Sequence, residues 1–257
     1  MSTTLEVTLK FLLIPLLCAC TSAYGQSATT QMPDGTTDVD LSVIAAIVPR
    51  AEGQTASRFV VLPTVSAQWS NGVYAAPGEV GMRLSHNPRW NVGPLLTYGA
   101  KPERADGSGS HNRWGVETGG FVSYRLAHNL QLSSQLLYGG GNDNRGVRFT
   151  ANASYGFELS AHQSLGFSAG FTAANASYMD SYFGVAPVQG NHHRPGYQAG
   201  SGLKNVFATV HWNVELSTKY SVATGLSASR LAKSASDSPL VASPNNSSLF
   251  TQLTYHF

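Results

Sequence analysis

The chain has 257 residues, of which 12% are charged and 26 are glycine, and its formal net charge is +2. A net charge this small gives no basis for nucleic acid as a partner, and so few charges are unusual for a water-soluble protein. A transmembrane β-barrel has such a composition, because half of its strand residues face lipid and its interior uses small polar side chains.

The first 25 residues are predicted to be a signal peptide. An apolar run at 11–19 follows Lys10 and precedes small residues that suit signal peptidase. The run is well short of the roughly 20 residues of a transmembrane helix. The residues LCAC at 17–20 also resemble a lipoprotein box with Cys20 as the lipidated residue, so ordinary cleavage and lipidation both stay open.

Both cysteines lie in this segment. Ordinary cleavage therefore leaves no disulfide and no cysteine–metal site in the mature chain. The next stretch, 26–37, is polar and is predicted to be a flexible N-terminal segment before a domain at 38–257.

The clearest strand pattern lies at 145–174, where apolar residues alternate with polar or small residues on either side of a turn at 160–162. Period-two alternation indicates β-strands with one apolar and one polar face. Each strand matches the roughly 9–11 residues that a tilted strand needs to cross a bilayer. We therefore predict that the apolar face meets lipid and the polar face lines a lumen.

The same pattern recurs along the chain, although Pro63 interrupts the second strand and predicts a bulge or an edge-like kink there. The hairpin at 73–85 is short, and without it the barrel would have ten strands. The predicted strands are 38–48, 58–69, 73–76, 79–85, 91–99, 114–126, 130–138, the two strands of 145–174, 206–215, 220–228 and 249–257.

The links between strands alternate in length. Those after even-numbered strands are tight, whereas 100–113, 175–200 and 231–246 are long. Bacterial barrels have an even number of strands, short periplasmic turns and longer external loops. This predicts an all-β, antiparallel up-and-down transmembrane barrel of about twelve strands in a Gram-negative outer membrane. The alternative is a soluble β-sandwich, which would need neither export nor strands of this length.

Aromatic residues near strand ends are predicted to lie at the headgroup level, where the ring is buried and its polar atom is hydrated. The interfacial candidates are Trp69, Trp114, Tyr138, Tyr155, Trp212 and Tyr220, with Tyr98, Tyr124, Tyr178 and Tyr255 near further strand ends. The last apolar residues of the chain, Leu253, Tyr255 and Phe257, share one face of the final strand. This pattern is typical of the C-terminal signal read by the barrel-assembly machinery.

Charged residues on the strands share the inward phase, because a lipid-facing charge costs roughly 2–4 kcal/mol at the midplane. Opposite charges are expected to pair across the lumen. The predicted lumen-facing residues are Glu117, Arg125, Arg148, Glu158 and Glu215, with His211 in the same phase.

No motif predicts a catalytic, cofactor or metal site. His192-His193 lacks further ligands for a metal, and the glycine-rich 139–144 lacks the ligands of a calcium or phosphate loop. No spacing of serine, histidine and acidic residues marks a catalytic triad. We therefore expect a protein that is not an enzyme.

Three segments resemble the MipA/OmpV family of outer-membrane proteins, the MltA-interacting proteins. They are YMDSYFGV at 178–185, LAKSASDSPLV at 231–241 and the closing LTYHF, and the resemblance extends over about 38–257. It implies a barrel without enzyme activity. One member of the family is described as a scaffold that bridges a membrane-bound lytic transglycosylase to a bifunctional penicillin-binding protein during murein growth.

The resemblance therefore predicts a monomeric, non-enzymatic scaffold for enzymes that synthesise and remodel peptidoglycan. A narrow channel for small solutes is an alternative, since the predicted lumen is polar. A surface adhesin acting through the long external loops is another, since other members of the family are described as adhesins.

Overall fold

The computed structural model describes residues 33–85, 87–100, 114–140, 146–185 and 196–257. The predicted signal segment with Cys20, most of the segment 26–37, the glycine-rich residues 141–144 and His192-His193 lie outside these ranges.

The described chain is almost entirely β-sheet, as the period-two pattern predicts. Two helices, α1 (Ala176–Phe183) and α2 (Lys233–Ser236), lie in the connections after the ninth and eleventh strands. The strands are β1 (Thr37–Pro49), β2 (Ser57–Trp69), β3 (Val73–Ala76), β4 (Glu79–Met82), β5 (Trp90–Ala100), β6 (Trp114–Ala127), β7 (Leu130–Gly140), β8 (Gly146–Ser160), β9 (Gln163–Ala174), β10 (Gly202–Glu215), β11 (Tyr220–Leu231) and β12 (Asn245–His256).

Each strand pairs antiparallel with its sequence neighbours, and β1 closes the ring by pairing with β12 from Asp40↔His256 to Ile47↔Leu249. The prediction of twelve strands is therefore confirmed, and the alternative of ten is wrong. Closure matters in a bilayer, because an open sheet edge would leave backbone N–H and C=O groups unpaired in hydrocarbon.

The hairpin of β3 and β4 is part of the ring although each strand has only four residues. It turns at Pro77-Gly78, where Gly78 has a φ of 84° that other residues rarely adopt. β3 pairs with β2 only at Ala67 and Gln68. The short hairpin was the least regular part of the sequence pattern because four residues contain too few alternations to set a phase.

Of the two alternatives predicted at Pro63, the bulge is wrong. The register of β1 with β2 runs without a shift past Val43↔Pro63. Within the described residues β2 has no partner strand on its other side at this point, since β3 reaches only as far as Ala67. A proline is tolerated at such a position, because no ladder hydrogen bond is lost on the unpaired side.

The outer face of the barrel is apolar. Large hydrophobic side chains are exposed at every second position of the long strands, among them Leu41, Val43, Phe149, Val206 and Leu249. This exposure would be unfavourable in water and is the expected surface in lipid. Within the described ranges, no helix combines the length and the hydropathy that a bilayer crossing requires.

The two ends of the barrel differ. At one end, which we call the turn end, the connections 70–72, 128–129, 161–162 and 216–219 are short, and both termini of the barrel lie there. The opposite end, the loop end, carries α1 and α2. Because bacterial barrels have short periplasmic turns and longer external loops, the turn end is the periplasmic end.

Candidate functional site

An ion pair on the inner wall of the barrel links β6 to β8 across the intervening strand β7. Arg148 Nε donates to Glu117 Oε2 at 3.1 Å, and Thr97 Oγ1 donates to the same carboxylate oxygen at 3.3 Å. The side chains of Arg148 and Glu117 are only 18% and 15% exposed. The planar guanidinium matches the carboxylate geometry, so this pair fixes two strands that are not neighbours.

The short hairpin adds a second polar group to this region. The guanidinium of Arg83 lies 5.2 Å from the centre of the Tyr74 ring, and that ring lies 6.1 Å from the ring of Phe121. Gly81 lies directly beneath the Tyr74 ring, since a side chain there would overlap it. The sequence did not single out Tyr74 of β3 or Arg83, which follows β4, because these two strands are too short for a periodic signal.

The interior is not polar throughout, which corrects the expectation of a uniformly polar lumen. Ile44, Ala46 and Val48 of β1 face inward and pack with Phe250 of β12 and Val60 of β2. Residues 43–48 are apolar in both phases. Periodicity alone therefore does not reveal that this part of the inner wall is apolar.

Helix α1 folds over the loop end and packs on inward-facing residues of β9 and β11. Asn175 caps it, accepting from Tyr178 N at 2.9 Å and from Val147 N at 3.0 Å, which ties the helix start to β8. We call this cluster the plug. Its buried members are Ala174, Tyr178, Met179, Phe183, Ala199, Leu231 and Ala235.

A buried ion pair lies beside the plug. Lys204 Nζ is 2.9 Å from Glu52 Oε1 and 5.7 Å from the centre of the Tyr178 ring. Burial raises the pKa of the Tyr178 phenol well above its ordinary value, and this group therefore stays neutral at physiological pH. The prediction that Tyr178 lies at the membrane interface is wrong, because α1 directs its ring into the plug.

Replacing Met179 by aspartate is expected to release the plug while the barrel stays closed. Met179 is fully buried, and an unpaired carboxylate there would cost several kcal/mol. Limited chymotrypsin digestion should then cut at the aromatic residues of α1, which the wild-type helix protects. Ser177→Asp on the exposed side of the first turn is the matched control. Equal cleavage of the two variants would contradict a docked plug.

Polar side chains of three strands meet inside the turn end, where β12 joins β11 and β1. His256 Nδ1 lies 2.6 Å from Asp40 Oδ1, and His256 Nε2 lies 3.0 Å from Ser221 Oγ. The next residues inward continue this network, since Ser42 Oγ and Thr254 Oγ1 are 3.0 Å apart. None of these residues was predicted to be functional, because only barrel closure brings them together.

The charged residues predicted to face the lumen occupy two different environments. Glu117 and Arg148 form the interior ion pair described above. The other three predicted residues also have the inward phase of their strands, but they lie close to the turn end: Arg125, Glu158 and Glu215. Glu215 is two-thirds exposed and lies 3.7 Å from His162, so it belongs to the rim and not to the lumen wall.

The predicted interfacial aromatics are distributed over both ends. Trp69, Trp212 and Tyr220 are exposed near the turn end, and Tyr138 is exposed towards the loop end. Tyr155 packs on Phe157 with ring centres 4.5 Å apart. Trp114 begins β6, and its side chain lies outside the described part.

Further aromatic residues lie near the turn end. Trp90, which the sequence analysis did not single out, lies 4.5 Å from Tyr124 between ring centres. At the C-terminus the Tyr255 ring is 5.1 Å from Tyr220 and 4.7 Å from Phe257. Leu253 is exposed in the same outward phase. Trp90 directly follows a turn, and this position in the sequence could have identified it as an aromatic residue at a strand end.

Comparison with known proteins identifies the family. The sequence profile of the MltA-interacting protein MipA matches residues 41–257. The chain belongs to the MipA family. The protein is therefore an outer-membrane β-barrel, in agreement with the family resemblance of the sequence and with the closed, lipid-facing ring. A comparison with curated protein sequences found no match.

A search of solved structures found matches to this MipA-family barrel at low sequence identity. The NanC porin has a TM-score of 0.51 at 10% identity, and the match covers 84% of this chain and 98% of the porin. An outer membrane channel from Pseudomonas putida F1 has a TM-score of 0.44 at 13% identity, covering 91% of this chain and 98% of the channel. The similarity to the porin shows the barrel architecture; membership of the MipA family suggests a protein without enzyme activity.

Proposed function

We propose that this protein is a scaffold that holds peptidoglycan enzymes at the inner surface of the outer membrane. Membership of the MipA family over residues 41–257 carries the proposal. The family description names an interaction with MltA, and a membrane-bound lytic transglycosylase and a bifunctional penicillin-binding protein are the proposed partners. We propose that the signal segment 1–25 directs export and that the segment 26–37 precedes a monomeric barrel. Lipidation of Cys20, in place of ordinary cleavage, is the alternative form of the N-terminus.

The turn end is the surface that such enzymes would contact, because they act on murein in the periplasm. Its short turns hold their side chains on a rigid ring, which reduces the entropy lost when a partner binds. Arg89 and Lys219 are exposed on this ring, as are Glu158 and Glu215. Mixed charges on a fixed rim favour recognition of one orientation of a charged partner.

Assembly is part of the same proposal. Leu253, Tyr255 and Phe257 present an outward-facing strand end, and Phe257 is 77% exposed. Phe257 N donates to Val39 O at 3.1 Å, so the end of the chain is tied to the first strand. We propose that the barrel-assembly machinery reads this end before the ring closes, and that outer-membrane lipid then surrounds the apolar face.

The scaffold proposal predicts that reversing charges at the turn end weakens partner binding. Full-length barrel in nanodiscs would be immobilised and exposed to each purified murein enzyme. The double variant Arg89→Glu, Lys219→Glu should lower the apparent affinity about tenfold at low salt and less at high salt, as expected for rim charges. Arg230→Glu with Lys233→Glu at the loop end is the matched control.

Two outcomes would contradict the scaffold. One is that the wild-type barrel retains neither enzyme. The other is that loop-end and turn-end variants lose affinity equally, since a scaffold for periplasmic enzymes must bind them through the turn end. The plug gives no support to a channel as a second function, because α1 covers the loop end between β8 and β11.

A further inference from the structure

We propose that Ser221, His256 and Asp40 form a hydrolytic site of the serine-esterase type at the periplasmic mouth of the barrel. Ser221 Oγ is 3.0 Å from His256 Nε2, and His256 Nδ1 is 2.6 Å from Asp40 Oδ1. A nucleophile, a base and a carboxylate that orients the base are the three parts of a catalytic triad, and these distances are within its hydrogen-bonding range. This inference is independent of the scaffold role and departs from the expectation of a protein without enzyme activity.

For an ionised Asp40 and a neutral His256, as in a catalytic triad, the two contacts assign a role to each ring nitrogen. An ionised carboxylate only accepts, so Nδ1–H of His256 donates to Asp40. In the neutral ring Nε2 is then the acceptor and receives the hydroxyl proton of Ser221. This is the tautomer in which a histidine activates a serine hydroxyl as a nucleophile.

The backbone holds His256 from both sides. Its N–H donates to Lys219 O at 2.9 Å, and the following N–H, of Phe257, donates to Val39 O at 3.1 Å. The ring therefore lies between β11, which carries the serine, and β1, which carries the aspartate. Groups fixed on paired strands keep their relative geometry better than groups on loops.

The site is open to substrate and water. The side chains of His256 and Asp40 are 43% and 40% exposed. Deeper in the barrel the neighbouring inward residues are uncharged: Gln252 Nε2 donates to Ser42 Oγ and to Thr254 Oγ1, each at 3.1 Å. At the mouth itself, Asp38 and Lys219 are exposed. The uncharged inner side of the site fits the acyl group of a carboxylic ester that enters from the periplasm. Thr254 is the cross-strand partner of Ser221, and its hydroxyl is the candidate donor to an oxyanion.

The reaction needs only the ester and water. Ser221 Oγ attacks the acyl carbon while its proton passes to His256 Nε2, and the resulting tetrahedral intermediate expels the alcohol, which takes that proton. Water then attacks the acyl-serine, with His256 again accepting the proton. The carboxylic acid leaves and the Ser221 hydroxyl is restored. Asp40 stays ionised and stabilises the imidazolium in both halves of the reaction.

The first test is covalent labelling of the folded full-length barrel by a fluorophosphonate, followed by peptide mass spectrometry. We expect one adduct, on Ser221, and none in Ser221→Ala. Ser229→Ala, an inward-facing serine of the same strand, is the matched control and should label normally. Folding of every variant would be checked by its heat-modifiable migration in SDS gels.

The second test is hydrolysis of p-nitrophenyl butyrate. Ser221→Ala should reduce the rate to that of buffer, and His256→Gln should lower kcat about 10²–10⁴-fold. Asp40→Asn should lower kcat to a similar extent with little change in KM, because Asp40 positions His256 and does not touch the ester. If the three residues only stabilise the rim, the wild-type protein will not be labelled and will hydrolyse the ester no faster than buffer. That result would overturn the proposal. Loss of hydrolysis in Ser229→Ala would overturn it as well.

Discussion

Gly119→Ala is expected to prevent most of the protein from forming the closed barrel. A Cβ at Gly119 would overlap the backbone carbonyl oxygen of Leu136 and approach the Cα atom of Leu137 on β7. The backbone of a neighbouring strand cannot move away as a flexible side chain can. The β6–β7 ladder would therefore have to open locally, and each hydrogen bond left unpaired in the bilayer costs several kcal/mol.

The measurement is the fraction of refolded protein that shows heat-modifiable migration, together with its urea unfolding curve. Gly156→Ala in β8 is the matched control, because a Cβ there would have no atom within 4 Å. We expect the control to fold like wild type. If Gly119→Ala folded equally well, the close approach of β6 to β7 would not exist in the protein.

Breaking the Glu117–Arg148 ion pair is expected to lower the free energy of unfolding by about 2–4 kcal/mol for either single variant. Removing one partner of a buried pair leaves the other charge without compensation, which costs about 3–5 kcal/mol when burial is complete. The side chains of Arg148 and Glu117 are still 18% and 15% exposed, so we expect a slightly smaller loss of unfolding free energy than for a completely buried pair. The variants are Glu117→Gln and Arg148→Met, measured by urea unfolding.

The double variant should lose less than the sum of the two single losses, because neither charge is then left alone. The exposed pair His162–Glu215, with side-chain exposures of 75% and 67%, is the control within the same barrel. Its disruption should change stability by less than about 1 kcal/mol. Additive losses at Glu117 and Arg148 would mean that the two side chains do not interact.

The fold was accessible from the sequence because strands with one lipid face have a strong local signal. In β8 and β9 each apolar residue marks the outer face, and the short turns between strands set the antiparallel order. Where the local signal was weak or shared by both faces, the prediction failed. Pro63 indicated a bulge that the missing neighbour strand made unnecessary, and the inner face of β1 at Ile44 is apolar.

The candidate site was less accessible, for a different physical reason. Phase predicts that Glu117 and Arg148 share the inner face, but the pairing of β6 and β8 with β7 decides that they meet. Tyr178 looked like an interfacial aromatic because helix α1 has no strong periodic signal in eight residues. Its position depends on the cap at Asn175 and on the packing of α1 against β9 and β11.

By itself the sequence determined the strands, the face of each strand that meets lipid and the alternation of turns and loops, because these depend on residues a few positions apart. Only the tertiary structure decided where the plug lies and which polar groups meet inside the ring. Asp40 and His256 are 216 positions apart, and no local preference brings them together. Ring closure does so, because β1 and β12 must pair to satisfy their backbone groups in the bilayer.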